Sequence, residues 1–329
     1  MTPPHRCRVM TNSEKQHGRQ ADFPHEIPRR GWWDIAYRLK ERIGRDNLGF
    51  ISAGVAFYLL MGFIPTLAAV VALYGLFADP GDVERQMASL QGLVPPEALQ
   101  IFEGELKRIA SNDATAGWAT LIALSLAIWG GSQAMDSMIT ALNLAYDERE
   151  TRGYFRRKFL GLGLTIGLAV SVVLTVALLA SAPVALHLLG WRSSSEWIIQ
   201  LMKWPLLLLV VGSAVSLLYR YAPDREDAKW RWITPGAVLA TVFWGIGSVG
   251  FSWYVSTFAN YSAMYGSLGG IVILLFWFYI TGFVILLGAE VNAEVEHQTA
   301  RDSTTGPPLP LGDRGAYVAD HVGVSHDRS

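Results

Sequence analysis

Charge is scarce in this chain. Asp, Glu, Lys and Arg make up 17% of 329 residues, against about 25% in a typical soluble domain. The signs nearly cancel, with 27 basic and 28 acidic residues and a net charge of −1. Such a balance lacks the basic footprint of a nucleic-acid-binding protein, so no nucleic-acid partner is expected. Cysteine is nearly absent. The single one, Cys7 in a polar N-terminal segment, excludes an intrachain disulfide and a thiolate metal cluster. No HExxH, CxxC, GxSxG or Walker A sequence occurs, which removes the commonest hydrolase, redox and nucleotide signatures. Of the seven histidines, His5, His17, His25, His321 and His326 lie near the ends, and His187 and His297 lie far apart. The sequence therefore predicts no catalytic residue, no metal site and no cofactor. Residues 1–31 have no apolar core like that of a secretory signal, so the first apolar run is expected to act as an uncleaved targeting signal.

What is abundant is uncharged hydrocarbon. The stretch from Leu48 to Phe77 contains no ionisable charge, and five comparable stretches follow. Hydrophobic residues reach 51% and the mean hydropathy is +0.27. A helix needs about 20 apolar residues to cross a hydrocarbon layer about 30 Å thick. The reading is an all-α polytopic membrane protein whose partner is the lipid bilayer. Its six transmembrane helices fall at about 48–77, 118–143, 159–189, 198–220, 233–258 and 268–291. Pro65, Pro183 and Pro205 fall within these runs or near their ends, where a membrane helix tolerates them if neighbours satisfy the freed carbonyl. Before the first span, Trp32, Ile35, Ala36, Leu39 and Ile43 share one helical face, with charges mostly opposite. That pattern predicts an amphipathic helix lying in the headgroup region. The domain is thus expected to span 31–297, with disordered tails at 1–30 and 298–329, where Pro, Gly, Ser and Asp are frequent.

Loop charges give a direction. Arg29, Arg30, Arg38, Lys40, Arg42 and Arg45 precede the first span. Arg149, Arg152, Arg156, Arg157 and Lys158 lie between the second and third spans, and Arg220, Arg225, Lys229 and Arg231 between the fourth and fifth. The intervening connections are poor in cations: 79–117 is mostly acidic, 190–197 holds only Arg192, and 259–267 holds none. Positive residues stay on the cytoplasmic side, which predicts a bacterial inner-membrane location with both termini in the cytoplasm. Pro95 and Pro96 open a helical pattern in the long outer loop, read as a surface helix over the bundle.

Polar groups inside the spans are the candidate chemistry, because each is costly in lipid. Gln133, Asp136, Thr140 and Asn143 recur at three- and four-residue spacing and form one stripe. Asp136 lies ~27 Å along its helix from Trp118 at 1.5 Å per residue, near the cytoplasmic boundary. Glu290 ends the sixth span at the same depth. One reading is an ion-pair belt in which Asp136 and Glu290 meet Arg149, Arg152 or Arg220. The other is a path for ions or protons with Asp136 as a relay. The depth favours pairing. At the outer side, Tyr261, Tyr265, Gly266 and Gly270 form either a tight turn or an opening into the bundle. Gly163 with Gly167, and Gly236 with Ala240, are small-residue pairs for close helix packing, within one chain by default and in a homo-oligomer otherwise.

Four segments together resemble the YihY/BrkB family of bacterial inner-membrane proteins: DNLGFISAGVAFYLLMGFIPTL, ALNLAYDERETRGYFRRK, YRYAPDREDAKWRWITPGA and YGSLGGIVILLFWFYITGFVILLGAEVNAE. The resemblance runs from about Trp33 to Glu296. It departs at Met61-Gly62-Phe63-Ile64-Pro65, where the family usually carries a Ser before the Pro. It implies a six-helix membrane protein of uncertain function, with links to virulence or serum resistance and a suggested transport role. The label "ribonuclease BN", also attached to the family, fits these residues poorly. A tRNA nuclease needs a basic RNA surface, and usually metal-binding groups, outside the bilayer. The reading is therefore a transporter- or permease-like protein for an unidentified solute or ion, with a non-conducting envelope scaffold as the alternative.

Overall fold

Where charge is missing, the chain is helix. The computed structural model describes residues 16–75, 116–188, 196–258 and 268–325. After a 3-10 turn at Pro24–Glu26 come α1 (Arg29–Arg45), α2 (Leu48–Gly75), α3 (Ala116–Ala145), α4 (Tyr154–Leu188), α5 (Glu196–Tyr221), α6 (Trp230–Phe258), α7 (Gly269–Gln298) and the short α8 (Tyr317–Asp320). Among the described residues there is no strand, only one isolated bridge between Ala228 and Thr304. Each of the six apolar runs coincides with one long helix. Among the described residues three stretches can cross a membrane by length and composition: Trp204–Tyr221, Trp230–Thr257 and Gly269–Gln298. The bent pair Arg29–Arg45 and Leu48–Phe63 makes a fourth if it counts as one span.

The bend between α1 and α2 is 61°, and its cause is local. Asn47 takes φ 49°, a left-handed conformation that Asn tolerates better than most residues. The helix stops there, and a new one begins as Phe50 N–H donates to Asn47 O. Turned this way, α1 runs across the end of α7. Part of the apolar face predicted for a headgroup-lying helix turns inward, while Trp32 and Ala36 on it stay exposed. Ile35 is buried in a cluster with Trp232, Val291 and Val295, with Leu39 packed beside it. Trp33 and Tyr37 point outward instead, 75% and 45% exposed.

The six long helices pack in a closed cycle, α2 on α3, α3 on α4, and so on to α7, which returns to α2. Two crossings are set by glycine. A Cβ on Gly62 would lie 2.7 Å from Gly130 O, so α2 and α3 meet backbone to backbone. Gly236 of α6 abuts Gly288 of α7 in the same way. Gly163 and Gly167 meet nothing within reach of a Cβ among the described residues, so this GxxxG makes no close crossing there.

The largest packed cluster lies at one end. The main core joins Leu48, Ile139, Leu142, Tyr146, Tyr219 and Leu286. They lie at the end where α3 and α5 finish and α2 and α6 begin, here the basal end. Away from it burial thins to a smaller cluster of Ala56, Leu274 and Phe278 on α2 and α7. On α5 no described residue before Val215 is buried, and on α6 none from Val242 to Thr257.

The flanking segments, expected to be disordered, are packed at the basal end as far as they are described. Arg19 donates to the carbonyls of His297 and Gln298, both at 3.2 Å. Thr299 Oγ1 donates to Ala21 O. Arg314 donates to the carbonyls of Ala300, Arg301, Leu309 and Ala319. The Gly- and Pro-rich composition concealed this, because the order comes largely from Arg side chains capping main-chain carbonyls, with only a few apolar anchors, Ala21, Ile27 and Val318. Residues 1–15, the outer connections 76–115, 189–195 and 259–267, and 326–329 lie outside the described residues. With them go Cys7, the expected surface helix, and Tyr261, Tyr265 and Gly266.

Candidate functional site

The polar groups of the long helices converge at the basal end, in three clusters. The first lies between α3 and α4. Lys158 Nζ pairs with Asp136 Oδ2 and donates to Gln133 Oε1 at 2.9 Å. Arg157 Nη2 donates to Asp136 O and to Thr140 Oγ1, at 2.9 and 2.7 Å, and its Nε stands 3.5 Å from Asp136 Oδ1. Gln133, Asp136 and Thr140 thus face the start of α4, which supplies the cations beside them. Arg149, Arg152 and Arg220, the partners named from sequence, are not those that meet Asp136.

The second cluster joins two turns. Asn143, the last member of the stripe, bends away to bridge them. Its Nδ2 donates to Glu150 Oε2 at 2.9 Å, and its Oδ1 accepts Asp224 N–H at 2.7 Å. Arg152 pairs with Glu150 at 2.6 Å, lies 3.4 Å from Asp224 Oδ1, and donates to Ala222 O. Asp224 also accepts from the backbone and hydroxyl of Thr151, at 2.5 and 2.7 Å. Burial opposes the charged form of both carboxyls, yet these bonds outweigh it. Arg152 for Glu150, and Thr151 for Asp224, hold them below the usual carboxylate range. Among the described residues Arg149 enters no ion pair, and Arg220 meets Asp227 at 3.5 Å.

The third cluster is the most buried. Glu290 is fully enclosed and accepts from Arg42 Nη1 at 3.1 Å. Arg42 also pairs with Glu294 at 2.6 Å and with Asp147, and donates to Ala145 O at 3.0 Å. Arg38 pairs with Glu294 and donates to Gln298 Oε1 at 2.8 Å. One turn away, Arg225 makes a two-pronged pair with Glu296 at 2.7 and 3.1 Å, over the face of Tyr146. His17 Nδ1 lies 2.6 Å from Asp34 Oδ2. The sequence reading missed Arg38, Arg42, Lys158, Glu294 and Glu296. A signal existed: Arg38 and Arg42 stand four apart, as do Glu290, Glu294 and Gln298. Four-residue spacing places each set on one face of its helix, and the two stripes are complementary when the helices cross. Gly270, the described member of the candidate outer opening, is part-buried near the start of α7.

No group of three or more His, Cys, Asp or Glu that could hold a metal ion occurs among the described residues. The basal carboxylates are taken up by Arg and Lys. Chemically, the arrangement is a set of buried or half-buried, mutually paired charges at the basal end.

An all-helical chain with helices long and apolar enough to span a bilayer, and polar groups gathered at one end, defines an integral membrane protein. Comparison with known proteins agrees. The Virulence factor BrkB family matches residues 39–309. A Bacillus subtilis (strain 168) protein with a ribonuclease-like name, YfkH, is 34% identical over 74% of this chain and 88% of its own length. A UPF0761 membrane protein of Aliivibrio salmonicida (strain LFI1238) is 25% identical, covering 80% of this chain and 83% of its own. Another, from Rhodospirillum centenum (strain ATCC 51521 / SW), is 26% identical over 97% of this chain and 69% of its own. No solved structure matches. The chain belongs to the virulence factor BrkB family and is a bacterial membrane protein.

Proposed function

We propose that the chain is a permease-like protein of the bacterial inner membrane, moving an unidentified polar solute or ion. In this reading all six long helices cross the bilayer and both termini lie in the cytoplasm, so the basal end is the cytoplasmic gate. The observation that carries it is a closed helix cycle with its main core at the basal end and thin burial along α5 and α6 beyond it. Core residues seal the basal end, while α5 before Val215 and α6 beyond Thr241 leave their described side chains unburied. A six-helix ring with its main core at one end leaves room for an outward-facing vestibule beside α5 and α6. Gln133 and Asp136 lie near its floor, and Tyr261, Tyr265, Gly266 and Gly270 would line its mouth.

A proteoliposome flux screen tests this, comparing the full chain with Asp136→Asn. Dissipation of an ion or solute gradient by the parent, changed in the variant, is expected. No flux for any solute in a broad screen overturns it. Reporter fusions at both ends test the topology, and an external terminus contradicts it.

A second reading, an envelope scaffold without conduction, draws on the pairing of Asp136 with Lys158 and Arg157. A carboxylate already neutralised serves as a clamp. A ribonuclease has less support, because the most buried basal cations, Arg38, Arg42, Arg152 and Arg225, are paired with internal carboxylates. RNA recognition needs them displayed on a surface.

A further inference from the structure

A groove of about 540 Å³ runs between α5 and α6, with Leu208, Gly212, Ser216, Trp230, Val238 and Val242 among its walls. Its hydroxyls are turned inward to their own helices. Ser213 donates to Leu209 O, Ser216 to Gly212 O, Thr234 to Trp230 O and Thr241 to Ala237 O, all at 2.7–2.8 Å. No hydroxyl proton is left for a ligand, so the groove presents mainly hydrocarbon. From Trp230 to Val242 it extends ~18 Å along α6 at 1.5 Å per residue, a little more than half of a hydrocarbon layer about 30 Å thick. That is the depth of one leaflet.

The basal mouth of the groove is positive. The Arg220 guanidinium lies 4.7 Å from the Trp230 ring centre and 5.6 Å from that of Tyr221. Its Nη1 donates to Ala228 O at 2.6 Å, while its Nε, buried, makes no hydrogen bond. Lys229 and Arg231 flank Trp230 in sequence. Lys229 donates to a main-chain carbonyl, Asp302 O, and Arg231 lies over the ring of Phe23. Among the described residues neither meets a carboxylate. Only Asp227, 3.5 Å from Arg220 and 39% exposed at its side chain, offsets this charge directly.

We infer that the groove seats one acyl chain of an anionic phospholipid, with its phosphate at Arg220 and Trp230 in the field of Lys229 and Arg231. The chain fits the apolar walls, its length fits one leaflet, and cations beside a membrane-facing Trp select a negative headgroup. The site is separate from the Asp136 cluster and does not depend on whether the protein conducts.

Native mass spectrometry of the full chain in detergent tests this, with phosphatidylglycerol and phosphatidylcholine of identical acyl chains as probes. The parent is expected to retain phosphatidylglycerol about fivefold better, the equivalent of roughly one juxtamembrane cation. Arg220→Gln should remove most of that preference while leaving the groove walls intact. Val238→Trp, which fills the groove from an exposed position, should lose both lipids. Val249→Trp on the same helix, equally exposed at 56%, should bind as the parent does. Equal retention of the two lipids by the parent overturns the assignment. So does undiminished retention by Val238→Trp, or a dimer that Val238→Trp abolishes.

Discussion

Arg42 of α1 reaches Glu290 of α7 at 3.1 Å in a place where the carboxylate has no exposure at all. The same guanidinium binds Glu294, Asp147 and the last carbonyl of α3, Ala145 O. One side chain from a surface-lying helix thus ties together three elements of the basal end. Glu290 Oε1 makes no hydrogen bond among the described residues, so the site has no spare donor if Arg42 is lost.

Arg42→Met should therefore be severely destabilising. Removing one partner of a buried pair leaves an uncompensated charge and costs about 3–5 kcal/mol. Adding Glu290→Gln should recover part of the loss. Thermal unfolding in detergent, followed by tryptophan fluorescence, measures both. A melting profile for Arg42→Met that superimposes on the parent's contradicts the assignment.

The glycine crossings predict an asymmetry between positions. A Cβ on Gly236 would strike Gly288 O and the amide of Asn292. Gly236→Ala should cost about 1–3 kcal/mol by overpacking. Gly163→Ala and Gly167→Ala meet nothing and should be neutral or slightly stabilising, since Ala favours helix over Gly. The same unfolding assay ranks the three, and equal losses would contradict the crossing as described.

Acid should unlock the two basal turns. Asp224 is held below its ordinary range, so it binds fewer protons folded than unfolded. The stability it contributes is present above its unfolded pKa of about 3.9 and is lost as pH falls through the lower folded value. Glu150 acts in the same direction. The protection factors of the amides in 148–153 and 222–226, taken against intrinsic exchange at each pH, should fall below about pH 4. Asp224→Asn should lower protection at neutral pH and flatten its acid dependence. Protection that stays constant down to pH 2 would falsify this.

The C-terminal segment should behave as a clasp with one pin. Arg314 satisfies four carbonyls at once. Arg314→Ala should expose residues 300–325 to protease while α7 stays resistant. Cleavage no faster than in the parent would show that the pin is elsewhere.

Asp136 and Lys158 should be energetically coupled. Either Asp136→Asn or Lys158→Gln alone strands a charge, and the double variant strands neither at that contact. A double-mutant cycle should give a coupling of about 0.5–3 kcal/mol, whereas a vanishing one means Arg157 alone neutralises the carboxylate.

The helices were legible in the sequence because a long uncharged run has few alternatives in lipid. The polar stripe on α3 was legible because helical spacing is fixed. Its partners were not. Lys158 meets Asp136 because of how α4 leans on α3, and Arg42 meets Glu290 because Asn47 turns α1 by 61°. A bend at one residue redirects every side chain before it, and periodicity does not encode its angle. The ordered ends were missed for a related reason. Composition reports apolar area, and these segments are held by Arg19 and Arg314 reaching main-chain oxygen.

Arg19 has one further consequence. It binds carbonyls of His297, Gln298 and Gly323, which lie 278 to 304 positions later in the chain. During synthesis, at about 5–20 residues per second, the N-terminal segment waits on the order of tens of seconds for these partners to exist. The basal end therefore cannot close while the protein is being made. Its final knot is tied only when translation is nearly finished, and a nascent chain halted before α7 carries an unsealed base.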